Sequence, residues 1–243
     1  GGAGTGPYML KAVNTTVEST LERFPDYWGG WEGDRAKAPD IAIIRSITEP
    51  AVRVQNLEQG VVQLIYPTPD SDIERLEATG KVKVYVTDAA DRIDALLNCK
   101  LAPTDDPNFR KALFYATPFQ EICDLACSGY ATPGSGFISP PQYGYEKQKA
   151  EFGLFQQDME KAREYLAKSK YPEGGVTVSC STDNAYAQGI KAMELYKTAL
   201  AELNITLDVQ PLDIGVIFQD AMSDSPTKNI VAISEPGMAD GVA

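Results

Sequence analysis

Short β-branched runs alternate with segments whose apolar residues recur at helical spacing, and this alternation restricts the fold of the chain more than any other feature. Val176–Cys180, Ile205–Val209 and Asn229–Ile233 read as strands. Between them, Tyr186–Leu203 places Tyr186, Ile190, Met193, Leu200 and Leu203 at helical spacing, and Ile214–Met222 reads as a second helix. A strand-helix-strand-helix-strand order needs crossover connections, and crossovers bury well only as helices laid against a sheet, so the expectation is an α/β layer structure.

The first third follows a related order. Tyr8–Val13, Thr20–Phe24 and Asp40–Ile47 read as strands, and the nearly continuous run Ile41-Ala42-Ile43-Ile44 predicts burial on both faces. A helix over Pro50–Gln59 stops at Gly60, a strand follows over Val61–Tyr66, a helix over Asp70–Thr79 ends at Gly80, and Lys81–Val86 alternates as a strand. Farther on, Ala95–Lys100 is extended. Pro103–Pro107 forms a loop whose end supplies N-capping chemistry for a helix through Arg110–Tyr115. Gly129–Gly153, rich in Gly, Pro and Tyr, shows no period and reads as a long irregular loop, of the kind that is usually functional or a boundary. Gln157–Ser169 is amphipathic through Met159, Ala162 and Leu166.

Composition excludes whole classes of function. The chain has 243 residues, with 22 Lys and Arg against 34 Asp and Glu and no histidine, for a net charge of −12. Its surface repels phosphate backbones, so nucleic acid and anionic membranes are not expected partners. Without histidine there is no Ser-His-Asp or Cys-His nucleophile pair, no His-ligated metal and no imidazole base. Apolar residues make up 43% and charged residues 23%, the profile of a chain able to bury a core. No apolar run reaches the roughly 18–20 residues of a membrane span.

Single motifs carry little chemistry. Gly2-Ala3-Gly4-Thr5-Gly6 has the look of a phosphate loop, but it precedes a strand instead of joining a strand to a helix, so a turn is the better account. The adjacent carboxylates Asp105 and Asp106 are better read as a helix cap than as a metal or acid-base pair. Tyr27, Trp28 and Trp31 read as packing of a turn in preference to ligand stacking. Cys99, Cys123, Cys127 and Cys180 show no CxxC spacing and read as small buried hydrophobes, a long-range disulfide remaining open. No catalytic residue, metal ligand or cofactor is assigned.

A set of ordered blocks is more specific. Gly4-Thr5-Gly6-Pro7-Tyr8 and Leu21-Glu22-Arg23-Phe24-Pro25-Asp26-Tyr27-Trp28-Gly29-Gly30 are followed by Arg53-Val54-Gln55-Asn56-Leu57-Glu58-Gln59-Gly60. Next come Asn98 with Asp106-Pro107-Asn108-Phe109-Arg110-Lys111-Ala112-Leu113, then Asp158-Met159-Glu160-Lys161-Ala162 with Tyr171-Pro172-Glu173-Gly174, and finally Gly237-Met238-Ala239-Asp240. Taken in this order over nearly the whole chain, they resemble the extracellular solute-binding proteins that serve peptide and nickel ABC importers. Departures include Ala116-Thr117-Pro118 where the family usually has A-I-D-R, Val62-Gln63 where I-D is usual, and Met238 in place of the usual tryptophan.

The resemblance implies a periplasmic-binding-protein-like fold (type II, cluster C) of two α/β lobes, truncated at both ends. Residues 1–97 would be the middle part of domain I and residues 98–243 the first part of domain III, with Ala95–Lys100 as a hinge and a large apolar surface left exposed. It implies capture of oligopeptides or a related solute between lobes and delivery to ABC permease subunits, outside the cytoplasm, with any signal segment and lipid-anchor cysteine lying upstream. Asp240 matches the family position that pairs with a peptide ammonium, and Met238, Gly237, Asn98 and Leu96 are the accompanying candidate contacts. For Asp240 the alternative of a solvated residue near the chain end stays open. The competing function is a carboxylate-dependent hydrolase or transferase, which requires two converging acidic groups with at least one raised pKa.

Overall fold

A computed structural model describes residues 4–14, 17–87 and 89–235. Contacts group the chain into two compact units, Gly1–Val84 and Tyr85–Ala243.

In the first unit β1 (Tyr8–Asn14), β2 (Glu18–Arg23) and β3 (Ile41–Arg45) form an antiparallel sheet in the order β1-β2-β3. The register aligns Leu10 with Leu21 and Ala42, and Val13 with Ser19 and Ile44, so these side chains share one face. The other face carries ion pairs, Lys11 with Glu22 at 3.0 Å and Arg45 with Glu18 at 3.0 Å. The turn after β2 is packed by aromatics, as its composition implied. Trp31 Nε1 donates to the Phe24 carbonyl at 2.8 Å, Tyr8 meets the Trp31 ring edge-on, and the Arg23 guanidinium lies over that ring at 4.4 Å. Trp28 Nε1 donates to the Thr5 carbonyl at 2.9 Å.

Three expectations fail in this unit. The apolar run in β3 is not buried on both faces: Ile41, Ile43 and Ile44 are all more than half exposed, because no described layer of this unit covers them. Val61–Tyr66 and Lys81–Val86 are not strands. Alternation gives such segments an apolar face, but a strand also needs a partner for its backbone groups, and none pairs with them among the described residues. The helices α1 (Pro50–Glu58) and α2 (Ile73–Ala78) form as expected, burying Val54, Ile73 and Leu76.

The second unit opens with β4 (Arg92–Leu97), which starts earlier than the expected Ala95 and ends before Asn98. There follow α3 (Pro107–Ala116), the single turn α4 (Phe119–Glu121) continuing into a π-helical turn over Ile122–Ala126, α5 (Tyr145–Phe152) and α6 (Met159–Ala167). The rest is β5 (Val176–Asp183), α7 (Ala187–Ala201), β6 (Ile205–Leu212), α8 (Ile214–Ala221) and β7 (Ile230–Glu235), the predicted alternation. The sheet order is β4-β7-β5-β6, with β5 parallel to β6 and β7, and β4 antiparallel to β7. β4, which overlaps the expected hinge Ala95–Lys100, pairs with β7 inside the second unit. α5 was not legible in the loop 129–153 because it buries only Tyr145 and so leaves no apolar stripe to read.

The core lies between this sheet and its helices: Phe109, Leu113, Val178, Cys180, Met193, Leu200, Ile205, Leu207 and Ile230 are all buried. Three helix starts, those of α3, α6 and α8, are capped by aspartate side chains. Asp106 accepts the Asn108 and Phe109 amides, Asp158 accepts that of Lys161, and Asp213 accepts that of Gly215. All four cysteines are free thiols. Cys123, Cys127 and Cys180 are buried as expected, whereas Cys99, in the turn after β4, is exposed.

Candidate functional site

Chain connectivity locates a crevice before any side chain is considered. From β5 the chain crosses through α7 to β6 on one side, and from β6 it crosses through α8 back to β7 on the other side of β5. Right-handed crossovers in opposite directions put the two helices on opposite faces, so the loops leaving β5 and β6 lead to opposite sides of the sheet. In open α/β sheets the space outside the carboxyl ends of strands at such a point is where ligands bind.

Four elements meet at this edge: the ends of β5, β6 and β7, and the start of antiparallel β4, where Arg92 stands opposite Glu235. β5 ends at Thr182 and Asp183, and the Asp183 carboxylate accepts the Ala185 amide at 2.9 Å, shaping the turn into α7. The 15-residue α7 begins here with no side-chain cap from Tyr186, which puts the positive end of its dipole at the carboxyl edge of the sheet. Thr182, on the face of β5 toward α7, is buried and its Oγ1 has no hydrogen-bond partner among the described residues. β6 is followed by Asp213, which caps α8. On β4, Arg92 pairs with Asp94 at 3.0 Å, both side chains about one quarter exposed, and Arg92 Nη1 also donates to the Phe137 carbonyl at 2.5 Å.

The candidate contacts fall into two groups. Gly237, Met238 and Asp240 lie outside the described residues, but the chain that leads to them leaves β7 at this edge. Leu96 and Asn98 are at the opposite end of the sheet: Leu96 pairs with Val231, and the Asn98 amide donates to the Asn229 carbonyl at 2.9 Å. At the strand rise, Leu96 is about 13 Å from Arg92. Asn98 instead joins a buried polar network in which Thr104 Oγ1 donates to the Asn98 carbonyl at 2.6 Å and Asn229 Nδ2 donates to Thr104 Oγ1 at 3.2 Å. Sequence reading missed Asp183, Arg92 and the start of α7. The predicted strand-helix order already implied a crevice at the end of β5, and that was the signal available.

The chemistry of this edge is that of ion pairing and hydrogen bonding. No group of three or more Cys, Asp or Glu among the described residues could hold a metal. The Cys180 thiol is pushed up to about 12 by burial, so it is no nucleophile. Among the described residues the carboxylates of Asp106 and Asp158 are held below their ordinary range. Asp158 is so held by the Lys161 amide and ammonium. Burial opposes ionisation of Asp106, but the Lys170, Asn108 and Phe109 amides outweigh it. Neither is an acid held protonated for catalysis.

The model for bacterial extracellular solute-binding proteins, family 5 Middle, matches residues 2–230. The glutathione-binding protein GsiB of Pectobacterium atrosepticum is 29% identical over 214 residues, 87% of this chain and 40% of that protein. Among solved structures, the periplasmic binding protein DppA from Helicobacter pylori, in complex with the peptide STSA, superposes with a TM-score of 0.77 at 20% identity, covering 98% of this chain and 44% of that one. NikA from Staphylococcus aureus, in complex with Ni(L-His)2, gives a TM-score of 0.73 at 22% identity over 96% of this chain and 48% of that one. These likenesses agree with the periplasmic-binding-protein-like α/β fold expected from the sequence and lend no support to a hydrolase. The chain spans about 40% of the length of the curated relatives it matches. With the family match running through the two units and ending at the first residue of β7, the chain belongs to the bacterial extracellular solute-binding proteins, family 5.

Proposed function

We propose that the whole protein is the solute-capturing component of an ABC importer, acting outside the cytoplasm, and that its solute is a short peptide or a peptide-like molecule. The observation that carries the reading is the family match over residues 2–230. A glutathione-binding relative and a fold neighbour that holds a tetrapeptide favour peptides within the family's range. The part of the site carried by this chain is the carboxyl edge of β5 and β7 with the segment that follows β7, and the chain passes from domain I to domain III ahead of β4. It is a binding protein, not an enzyme, and it hands its solute to permease subunits.

Asp240 supplies the carboxylate for the peptide ammonium. An unpaired ammonium in a closed site is costly, and a carboxylate partner removes the cost. In the full-length protein, Asp240→Asn is expected to weaken a free tripeptide by about 2–5 kcal/mol and its N-acetylated form much less. Calorimetry on the two peptides tests this, and equal losses for both would assign Asp240 a structural role instead.

A further inference from the structure

The segment Ser135–Ser139 is held far more firmly than a surface loop requires. Gln148, on α5, donates through Nε2 to Ser135 Oγ at 3.1 Å and to the Ile138 carbonyl at 3.1 Å, while its Oε1 accepts the Ile138 amide at 3.2 Å. Ser139 Oγ donates to the Ala90 carbonyl at 2.9 Å, and the Ser139 amide donates to Gln142 Oε1 at 2.7 Å. Gly136 has a φ of +150°, and a Cβ there would stand 2.5 Å from Gln148 Cδ, so the clamp closes only on glycine. Ser135 and Ser139 are 1% and 3% exposed, yet Phe137 between them is 79% exposed.

The apolar ring is thus presented to solvent by a backbone fixed on both sides. Its position is set as well, because the Phe137 carbonyl accepts from Arg92, the first residue of β4, which stands opposite Glu235 at the carboxyl end of β7. That is the edge of the crevice described above. Fixing an apolar contact in advance lowers the ordering cost of binding, and an aromatic ring offers a large contact area with few rotatable bonds.

We propose that Phe137 is a ligand-contacting residue at the mouth of this crevice and selects solutes that carry an apolar or aromatic side chain, with Gln148 as its positioning residue. This rests on the peptide-binding reading. The test uses the full-length protein and four tripeptides, Ala-Ala-Ala and the three that carry one Phe in its place, with affinities measured by calorimetry. In the wild type at least one Phe-containing peptide should bind ten-fold or more tightly than Ala-Ala-Ala. Phe137→Ala should cut that preference to three-fold or less by weakening the Phe peptide alone, and Phe137→Trp should keep it. Gln148→Leu, which leaves the ring but releases its backbone, should lower the preference while Ala-Ala-Ala affinity holds. An unchanged melting temperature for Phe137→Ala separates the effect from misfolding. A preference that survives Phe137→Ala, or an equal loss for all four peptides, would overturn the assignment of Phe137. A wild-type protein that binds none of the four overturns the peptide reading on which it rests, and does so before any variant is compared.

Discussion

The Asp106 carboxylate accepts the backbone amide of Lys170 at 2.7 Å across a sequence separation of 64 residues, while its other oxygen accepts the Asn108 amide at 2.7 Å and the Phe109 amide at 3.3 Å. One side chain therefore caps α3 and pins the turn after α6 against it. Asp105 adds a partly exposed bridge to the Lys170 ammonium at 2.7 Å.

Asp106→Ala should destabilise the chain by about 2 kcal/mol, since it removes a cap and leaves the Lys170 amide without its acceptor. The pKa of Asp106 is lowered in the fold, although burial opposes it, because three amides stabilise the anion. A carboxyl group with a depressed folded pKa contributes stability that is present above its unfolded pKa, near 4, and is lost as pH falls through the folded value. Urea titrations should show the wild type losing its advantage over Asp106→Ala as pH falls below about 4.

Asn229 is the second staple. Its Nδ2 donates to the Ala102 carbonyl at 2.9 Å and to Thr104 Oγ1 at 3.2 Å, and its Oδ1 accepts from the Ser179 amide and hydroxyl, each at 3.0 Å. The turn after β4 is thereby fixed to β5 and β7. Asn229→Ala should cost about 2–4 kcal/mol, because several buried polar groups lose their partner together. A shift in the urea midpoint checks it, and Thr104→Ala combined with Asn229→Ala should cost less than the sum of the two, as expected of neighbours in one network.

Thiol labelling separates the cysteines. Cys99 is exposed, while Cys180 is fully buried with its thiol pushed up to about 12 and Cys123 is likewise raised by burial. With a maleimide at pH 7 the native protein should label rapidly at Cys99, and at Cys180 only on the time scale of unfolding. Peptide mapping of the labelled sites gives the answer directly.

The alternating order of the second unit was legible because its central elements bury one face, as with Val178 and Cys180 on β5, Met193 and Leu200 on α7, or Ile205 and Leu207 on β6. The cap at Asp106 was legible because its chemistry is local. Val61–Tyr66 and Lys81–Val86 misled because alternation reports a face and says nothing about a pairing partner. Ile41, Ile43 and Ile44 misled in another way: a run of apolar residues reports what a strand could bury, but not whether another layer packs on it, and among the described residues none covers β3. The resemblance pointed to Asp240 through a local motif. Arg92 and Phe137 escaped notice because they are brought to the carboxyl edge by pairing and hydrogen bonds between residues 45 positions apart.

We propose that this family 5 chain is part of a receptor for short peptides. Full-length protein purified natively, then denatured and analysed by mass spectrometry for released small molecules, decides this. Peptides of a few residues with free amino termini should be recovered in near-stoichiometric amount. Recovery of a single non-peptide solute, such as a sugar or a metal chelate, at that stoichiometry would contradict it.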